Sequence, residues 1–289
     1  MVSIGLTVLT GLLPITALAC SAISIDGKSE TMLLPFSSST GPSVIKMPQF
    51  TSYHGNIPSG TLGSGSKFLV PIMRMQADQN MLLSIYRPAT KPGDYVLMHP
   101  DDSNLAYASQ LKSAAGNMGV EYFSLSGIEA NAPTLGPKGV TFISYDLESI
   151  YSPSSDLANP VISMQTAAAV THKYGLLFMS SPSRLLTDKY YYSFAKVSDI
   201  YQLQAQAFES NPSNYSTYVH NTIPKLKNAH PGMPVSVETS TARGTVFQME
   251  QCFSLVAGVA DGSNSYYTNT KAGFTALQEY LTWFVSHYG

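Results

Sequence analysis

Hydrophobic and polar positions divide the chain near Phe68. From there on, apolar runs that end in polar residues recur. They cover Phe68 to Met75, Tyr95 to His99, Val120 to Leu125, Val140 to Leu147, Gly175 to Ser180, Val197 to Gln204, Pro234 to Thr239 and Leu255 to Ala260. Each is short and rich in β-branched or aromatic residues, as buried strands are. Between them lie stretches of helical period: Leu105 to Met118, Val161 to Tyr174, Tyr215 to Ala229, Gly244 to Val256 and Thr270 to His287. Asn159-Pro160 starts the second of these and Gly175 stops it. Residues 77–94 predict at best a short helix, and 127–138 predict none. Eight strands alternating with helices define an α/β chain with a parallel sheet covered on both faces. The fold expected is a (β/α)8 barrel of the TIM type, irregular where helices are missing. A first strand without a Gly-rich phosphate loop argues against a dinucleotide-binding sheet.

Residues 20–66 show neither period. Stretches such as Ser37-Ser-Ser-Thr-Gly-Pro42 predict a Ser/Gly/Pro-rich linker or surface arm ahead of a barrel domain at 67–289. Residues 1–19 read as a signal peptide, with an apolar run from Ile4 to Leu18 and the small-residue signal Ala17-Leu-Ala19. Export to the cell surface or beyond is the expectation. Attachment to a membrane is expected only if Cys20 is lipidated. Cys252, the other cysteine, is expected inside a helix, and Asn214-Tyr-Ser216 is a glycosylation sequon.

Composition sharpens this picture. Charged residues are only 12% of the 289, net charge is −2, and 18 tyrosines are present. No basic run offers a footprint for nucleic acid. No cofactor is called for.

In such a barrel the chemistry gathers where the strands end. Side chains alternate between faces, so the last inward residues of each run are the candidates. The first run offers Arg74 and Gln76, the second His99 and Asp101, the third Ser124 and Ser126. The fourth places Ser144, Asp146 and Glu148 on one face, and the fifth ends at Ser180. The sixth aligns Gln202, Gln204 and Gln206. The seventh aligns Ser236, Glu238 and Ser240, and Asp261 follows the eighth. A row of amides beside carboxylates suits a neutral polyhydroxylated ligand, although amides also satisfy one another inside a barrel. Tyr107, Tyr145, Tyr151, Tyr201, Tyr266 and Tyr267 are candidate stacking surfaces. None of the six histidines has a metal-protease spacing.

The strand Phe142-Ile-Ser-Tyr-Asp-Leu-Glu148 resembles the fourth-strand signature D-x-D-x-E of chitinase-like glycoside hydrolases. Ser144 stands where that family has an Asp, and Tyr201-Gln-Leu-Gln-Ala-Gln206 replaces its sixth-strand Tyr-Asp pair. The C-terminal half, through Tyr218-Val-His220 and His230-Pro-Gly-Met-Pro-Val-Ser-Val-Glu-Thr-Ser-Thr241, is similar to secreted bacterial and archaeal barrel proteins. That likeness implies fold and export, not an activity. The first expectation is a secreted hydrolase of carbohydrate polymers. Glu148 would be its general acid, Asp146 would tune it, and Glu238 would be a second carboxylate. Arg74, Gln76, Gln202, Gln204, Gln206, His99, Asp101 and Asp261 would contact substrate. Alternatives are a non-catalytic glycan-binding or envelope protein, and a metal-dependent hydrolase built on His99 and Asp101.

Overall fold

The computed structural model describes residues 22–25, 28–31, 66–74 and 77–289. Within the expected arm, β1 (Ala22–Ile25) pairs antiparallel with β2 (Lys28–Thr31) as a small unit of its own. The expected signal peptide, Cys20 and most of the arm lie outside the described residues, as does Gln76.

The second unit is the barrel. Its strands are β3 (Phe68–Val70), β4 (Ile72–Met73), β5 (Tyr95–Met98), β6 (Asn117–Tyr122), β7 (Phe142–Tyr145), β8 (Leu177–Ser180), β9 (Ile200–Leu203), β10 (Val235–Ser240) and β11 (Gly262–Tyr266). All pair in parallel, in the order β3-β11-β10-β9-β8-β7-β6-β5-β4. The ends of that order, β3 and β4, are consecutive pieces of one stretch interrupted by Pro71, which has no N–H to give a ladder. Below Pro71 the stretch pairs with β11, and above it with β5. The Pro71 carbonyl accepts from Leu97 N at 2.8 Å. Eight strand positions therefore run around the ring. The helices are α1 (Gln79–Tyr86), α2 (Asp102–Ala115), α3 (Leu125–Leu135), α4 (Ser154–Ala158), α5 (Pro160–Lys173), α6 (Arg184–Ala195), α7 (Pro212–Ala229), α8 (Val246–Val256) and α9 (Lys271–Tyr288).

Three elements differ from the pattern-based expectation, one of them α6, which occupies a stretch where no helical period was read. The stretch expected to lack a helix contains α3. Ser124 caps it by accepting from Gly127 N, and Ile128, Ala132 and Leu135 supply a short buried stripe. Pro133 near its end masks the signal. The eighth strand is not Leu255 to Ala260, which completes α8 and the turn after it, but the polar segment Gly262–Tyr266. That segment tolerates burial because its hydroxyls are bonded. Ser263 Oγ meets Tyr280 OH at 2.8 Å, and Ser265 Oγ meets Thr239 Oγ1 at 3.0 Å.

Residues paired in register share a face. Gly119, Phe142 and Leu177 point inward together, as do Glu121, Ser144, Met179 and Ile200. Phe68, Val70, Tyr95, Leu97, Phe142, Leu177, Met179 and Ile200 form an apolar plug inside the barrel. Tyr95 meets the Phe68 and Phe142 rings edge-on, at 5.1 and 5.7 Å between centroids. Ile143, Tyr145, Leu203, Val235 and Val237 belong to the larger core shared with the helices.

Four side chains tie the lower rim. Asp94, Thr141, Asp199 and Asp261 each stand one residue before a strand, β5, β7, β9 and β11 in turn. Each accepts the N–H of a residue at the start of the preceding barrel position: Leu69 (2.7 Å), Met118 (3.0 Å), Phe178 (2.7 Å) and Val235 (2.9 Å). Burial outweighs these bonds at Asp94 and pushes its carboxyl up to about 7. Asp261, also 2.9 Å from Lys227 Nζ, is thus a lower-rim residue and does not reach the mouth where ligand contact was expected.

The plug leaves no room at Gly119, where a Cβ would lie 2.2 Å from the Phe142 ring. Gly119→Ala should lower unfolding free energy by about 1–3 kcal/mol, the usual cost of overpacking. Gly119→Ala/Phe142→Leu should recover part of that loss. Denaturant melts of the wild type and the two variants measure it, and a full-strength Gly119→Ala would contradict this packing.

Candidate active site

The upper ends of the strands enclose a cavity of about 650 Å³. Every position but that of β8 contributes a lining residue. Arg74 follows β4 and His99 follows β5. Glu121 is the fifth residue of β6. Asp146 and Glu148 continue the inward face of β7, and Glu238 lies within β10. Tyr266 ends β11, with Tyr267 next to it. Phe123 and Tyr151 stand at the rim, their rings 5.1 Å apart, and Phe123 lies 5.7 Å from the His99 ring.

The expected glutamines do not satisfy one another. Gln202 donates to Glu238 Oε2 at 3.2 Å, and Gln204 donates to Asp146 Oδ1 at 3.1 Å and to the Ser181 carbonyl at 3.3 Å. Gln206 leaves the strand for a short 3-10 turn and lines the cavity without sharing that row. Neutral donors therefore hold two buried acids.

Glu121 is the residue that sequence reading missed. The third strand was expected to begin at Val120 and to present Ser124 and Ser126. It begins at Asn117, so Gly119 and Glu121 face inward, Ser124 caps α3 and Ser126 lies in that helix. A single carboxylate inside Met118-Gly-Val-Glu-Tyr122 was the available signal. Ser180 also turns away from the interior, its hydroxyl meeting Ser198 Oγ outside the barrel. Asp101 stays at the rim as the N-cap of α2, accepting from the Ser103 hydroxyl and from Ser103 N at 2.8 Å, and these bonds lower its pKa. His99 and Asp101 thus have separate partners. Among the tyrosines, Tyr151, Tyr266 and Tyr267 line the cavity. Tyr145 and Tyr201 are buried outside the barrel on Asp156 and Thr187, and Tyr107 packs against the outer core.

Burial governs the electrostatics. Asp146 and Glu238 are raised well above the carboxylate range by desolvation, and in each case Glu148 adds the next largest push. Glu148, only half-buried at the residue level, is raised by desolvation against a hydrogen bond from Gln204. Glu121 is pushed up to about 7 by burial, opposed by Arg74 and by Tyr266, whose hydroxyl donates to it at 3.3 Å. His99 Nε2 lies 3.3 Å from Glu121 Oε2 without hydrogen-bond alignment. Desolvation, aided by Arg74, lowers His99 to about 4, so this is a contact of a neutral imidazole and not an ion pair. Arg74 stacks over Tyr266 at 4.4 Å and Tyr267 at 5.7 Å, and no ion pair joins it to an acid among the described residues. A cavity with several raised carboxyls beside neutral donors is equipped to give and take protons.

The fold is that of TIM-type barrels. The chain is similar to active domain 2 of the chitinase from Pyrococcus furiosus, with TM-score 0.55 and 11% identity over 78% of this chain and 99% of that one. It is also similar to triosephosphate isomerase from Bartonella henselae, with TM-score 0.51 and 8% identity over 74% and 97%. A protein from Aquifex aeolicus VF5 gives TM-score 0.50 and 13% identity over 77% and 92%. At these identities the likeness is one of fold. No protein-family model and no curated protein matches the chain.

The raised carboxyls set a pH dependence. Glu121 has a folded pKa of about 7 against an ordinary 4.5, so folding favours its protonated form. Its contribution is fully present below about 4.5 and is lost as pH rises toward about 7. Thermal midpoints should therefore fall over that interval, and Glu121→Gln should flatten the fall. An unchanged slope in Glu121→Gln would contradict the assignment.

Proposed function

We propose that the chain is an exported glycoside hydrolase that works at the barrel mouth. Glu148 is the general acid, and Glu238 is the second carboxyl. The observation that carries this reading is the convergence of Glu121, Asp146, Glu148 and Glu238 on one cavity, with hydrogen bonds from neutral groups and, among the described residues, no ion pair from Arg74. Glu148 is the acid that is only half-buried, so it is the one placed to meet a ligand. In this scheme its proton passes to the glycosidic oxygen as the bond from that oxygen to the sugar carbon breaks. Positive charge then develops on the departing sugar and favours an ionised carboxylate nearby. Glu238 can supply it only after releasing to solvent the proton that burial and, next, the charge of Glu148 favour; water then adds to the sugar carbon and returns a proton to Glu148. Asp146, fixed by Gln204, positions and tunes Glu148. Export rests on the apolar run Ile4 to Leu18 and the Ala17-Leu-Ala19 signal, and a mature N-terminus near Cys20 by mass spectrometry is its test.

A glycan-binding protein without turnover is the second reading. Ser144 favours it, because this buried hydroxyl with no protein partner stands where the chitinase-like signature has an acid.

A hydrolysis screen over polysaccharides and their oligosaccharides separates the two. The enzyme reading expects reducing ends from at least one glycan and a loss of about 10²-fold or more in Glu148→Gln at unchanged melting temperature. Binding without release of reducing ends, equal in wild type and Glu148→Gln, would replace it with the second reading.

A further inference from the structure

Arg74 is a cation in a cavity full of acids, and it forms no ion pair with any of them among the described residues. Its guanidinium lies over the Tyr266 ring at 4.4 Å, with Tyr267 at 5.7 Å. Its Nε is buried and has no hydrogen-bond partner. The nearby acids take their bonds elsewhere: Asp146 from Gln204, Glu238 from Gln202, Glu121 from Tyr266. All three feel the field of Arg74, yet none forms an ion pair with it among the described residues.

A buried donor left unpaired is costly, and a partly dehydrated guanidinium more so. Stacking on an aromatic face engages the plane of the group and leaves its N–H edge for a ligand in that plane. A carboxylate matches that edge with two parallel charge-assisted hydrogen bonds, each roughly twice as strong as a bond between neutral groups. The surrounding acids do not forbid an anion. Burial favours the uncharged forms of Asp146 and Glu238, and Asp101 sits at the solvated rim.

We propose that Arg74 receives a carboxylate of the ligand, so that the saccharide bound at this mouth is an acidic one built from uronic acids. The amide row alone pointed to a neutral ligand; Arg74 changes the class. This inference rests on the saccharide reading above and names its substrate class. The competing role for Arg74, balancing the charge of the acids, predicts no preference between acidic and neutral ligands.

Calorimetric titration of the full chain carrying Glu148→Gln tests this without requiring turnover. The probes are oligogalacturonate, oligoglucuronate and oligomannuronate, each beside its carboxyl-reduced neutral counterpart. At least one acid should bind about tenfold or more tighter than its counterpart. Arg74→Gln should erase that difference, through a loss of acid binding larger than any loss with the neutral counterpart. Arg74→Lys, which keeps charge but not the fork, should fall between. Equal binding of acid and counterpart throughout, no binding of any probe, or a preference that survives Arg74→Gln would each overturn the proposal. If Arg74→Gln fails to fold, as a melt would show, Arg74→Lys takes its place, and an acid preference that it leaves unchanged would overturn the proposal. Hydrolysis confined to neutral glycans would overturn this inference and leave the hydrolase reading standing.

Discussion

The site depends on buried carboxyls whose close hydrogen-bond donors are neutral. A guanidinium or ammonium in contact with Asp146 or Glu238 would hold either acid ionised, and the cavity would be a set of structural ion pairs. Amides from Gln204 and Gln202 satisfy an oxygen of each acid without supplying a full charge. Desolvation then dominates, and the mutual repulsion of four acids adds to it. Arg74 moderates this at a distance because it is stacked on tyrosines and not paired. The proton-holding chemistry therefore comes from the choice of Gln at two inward positions of one strand segment.

That choice works only if the barrel holds its register. The alternation that points Ser144, Asp146 and Glu148 inward is the same one that sends Ile143 and Tyr145 into the helix layer. A one-residue slip would exchange the two sets. The closure at Pro71 and the four lower-rim acceptors, Asp94, Thr141, Asp199 and Asp261, fix the strands relative to one another. The apolar plug beneath the mouth then excludes water from below, which makes desolvation the largest cause of every raised acid.

Much of this was legible in the residues. Val140 to Leu147 and Val197 to Gln204 carry strong apolar character, and strand geometry alternates their side chains between faces, so both the strands and their inward acids and amides could be read. The misses share a cause: burial of polar residues satisfied by distant partners leaves no local signature. The strand Gly262–Tyr266 looks like a loop until Tyr280 and Thr239 are brought to its hydroxyls. Assigning the apolar run before it as the strand carried Asp261 to the wrong end. Glu121 was hidden by a boundary set three residues late, which exchanged a buried carboxyl for two capping-region serines. Helix α3 was hidden by Gly127 and Pro133, which local propensity counts against and tertiary packing overrides.

The central claim is that carboxyls in this cavity keep their protons at neutral pH. Infrared spectroscopy of the barrel, with aspartate and glutamate carboxyl carbons isotopically labelled in turn, measures this directly. The account predicts a protonated-carboxyl stretch at neutral pH in both labelled forms, weakened by Asp146→Asn in the first and by Glu238→Gln in the second. The absence of any such band at neutral pH, with all four acids absorbing as carboxylates, would contradict it.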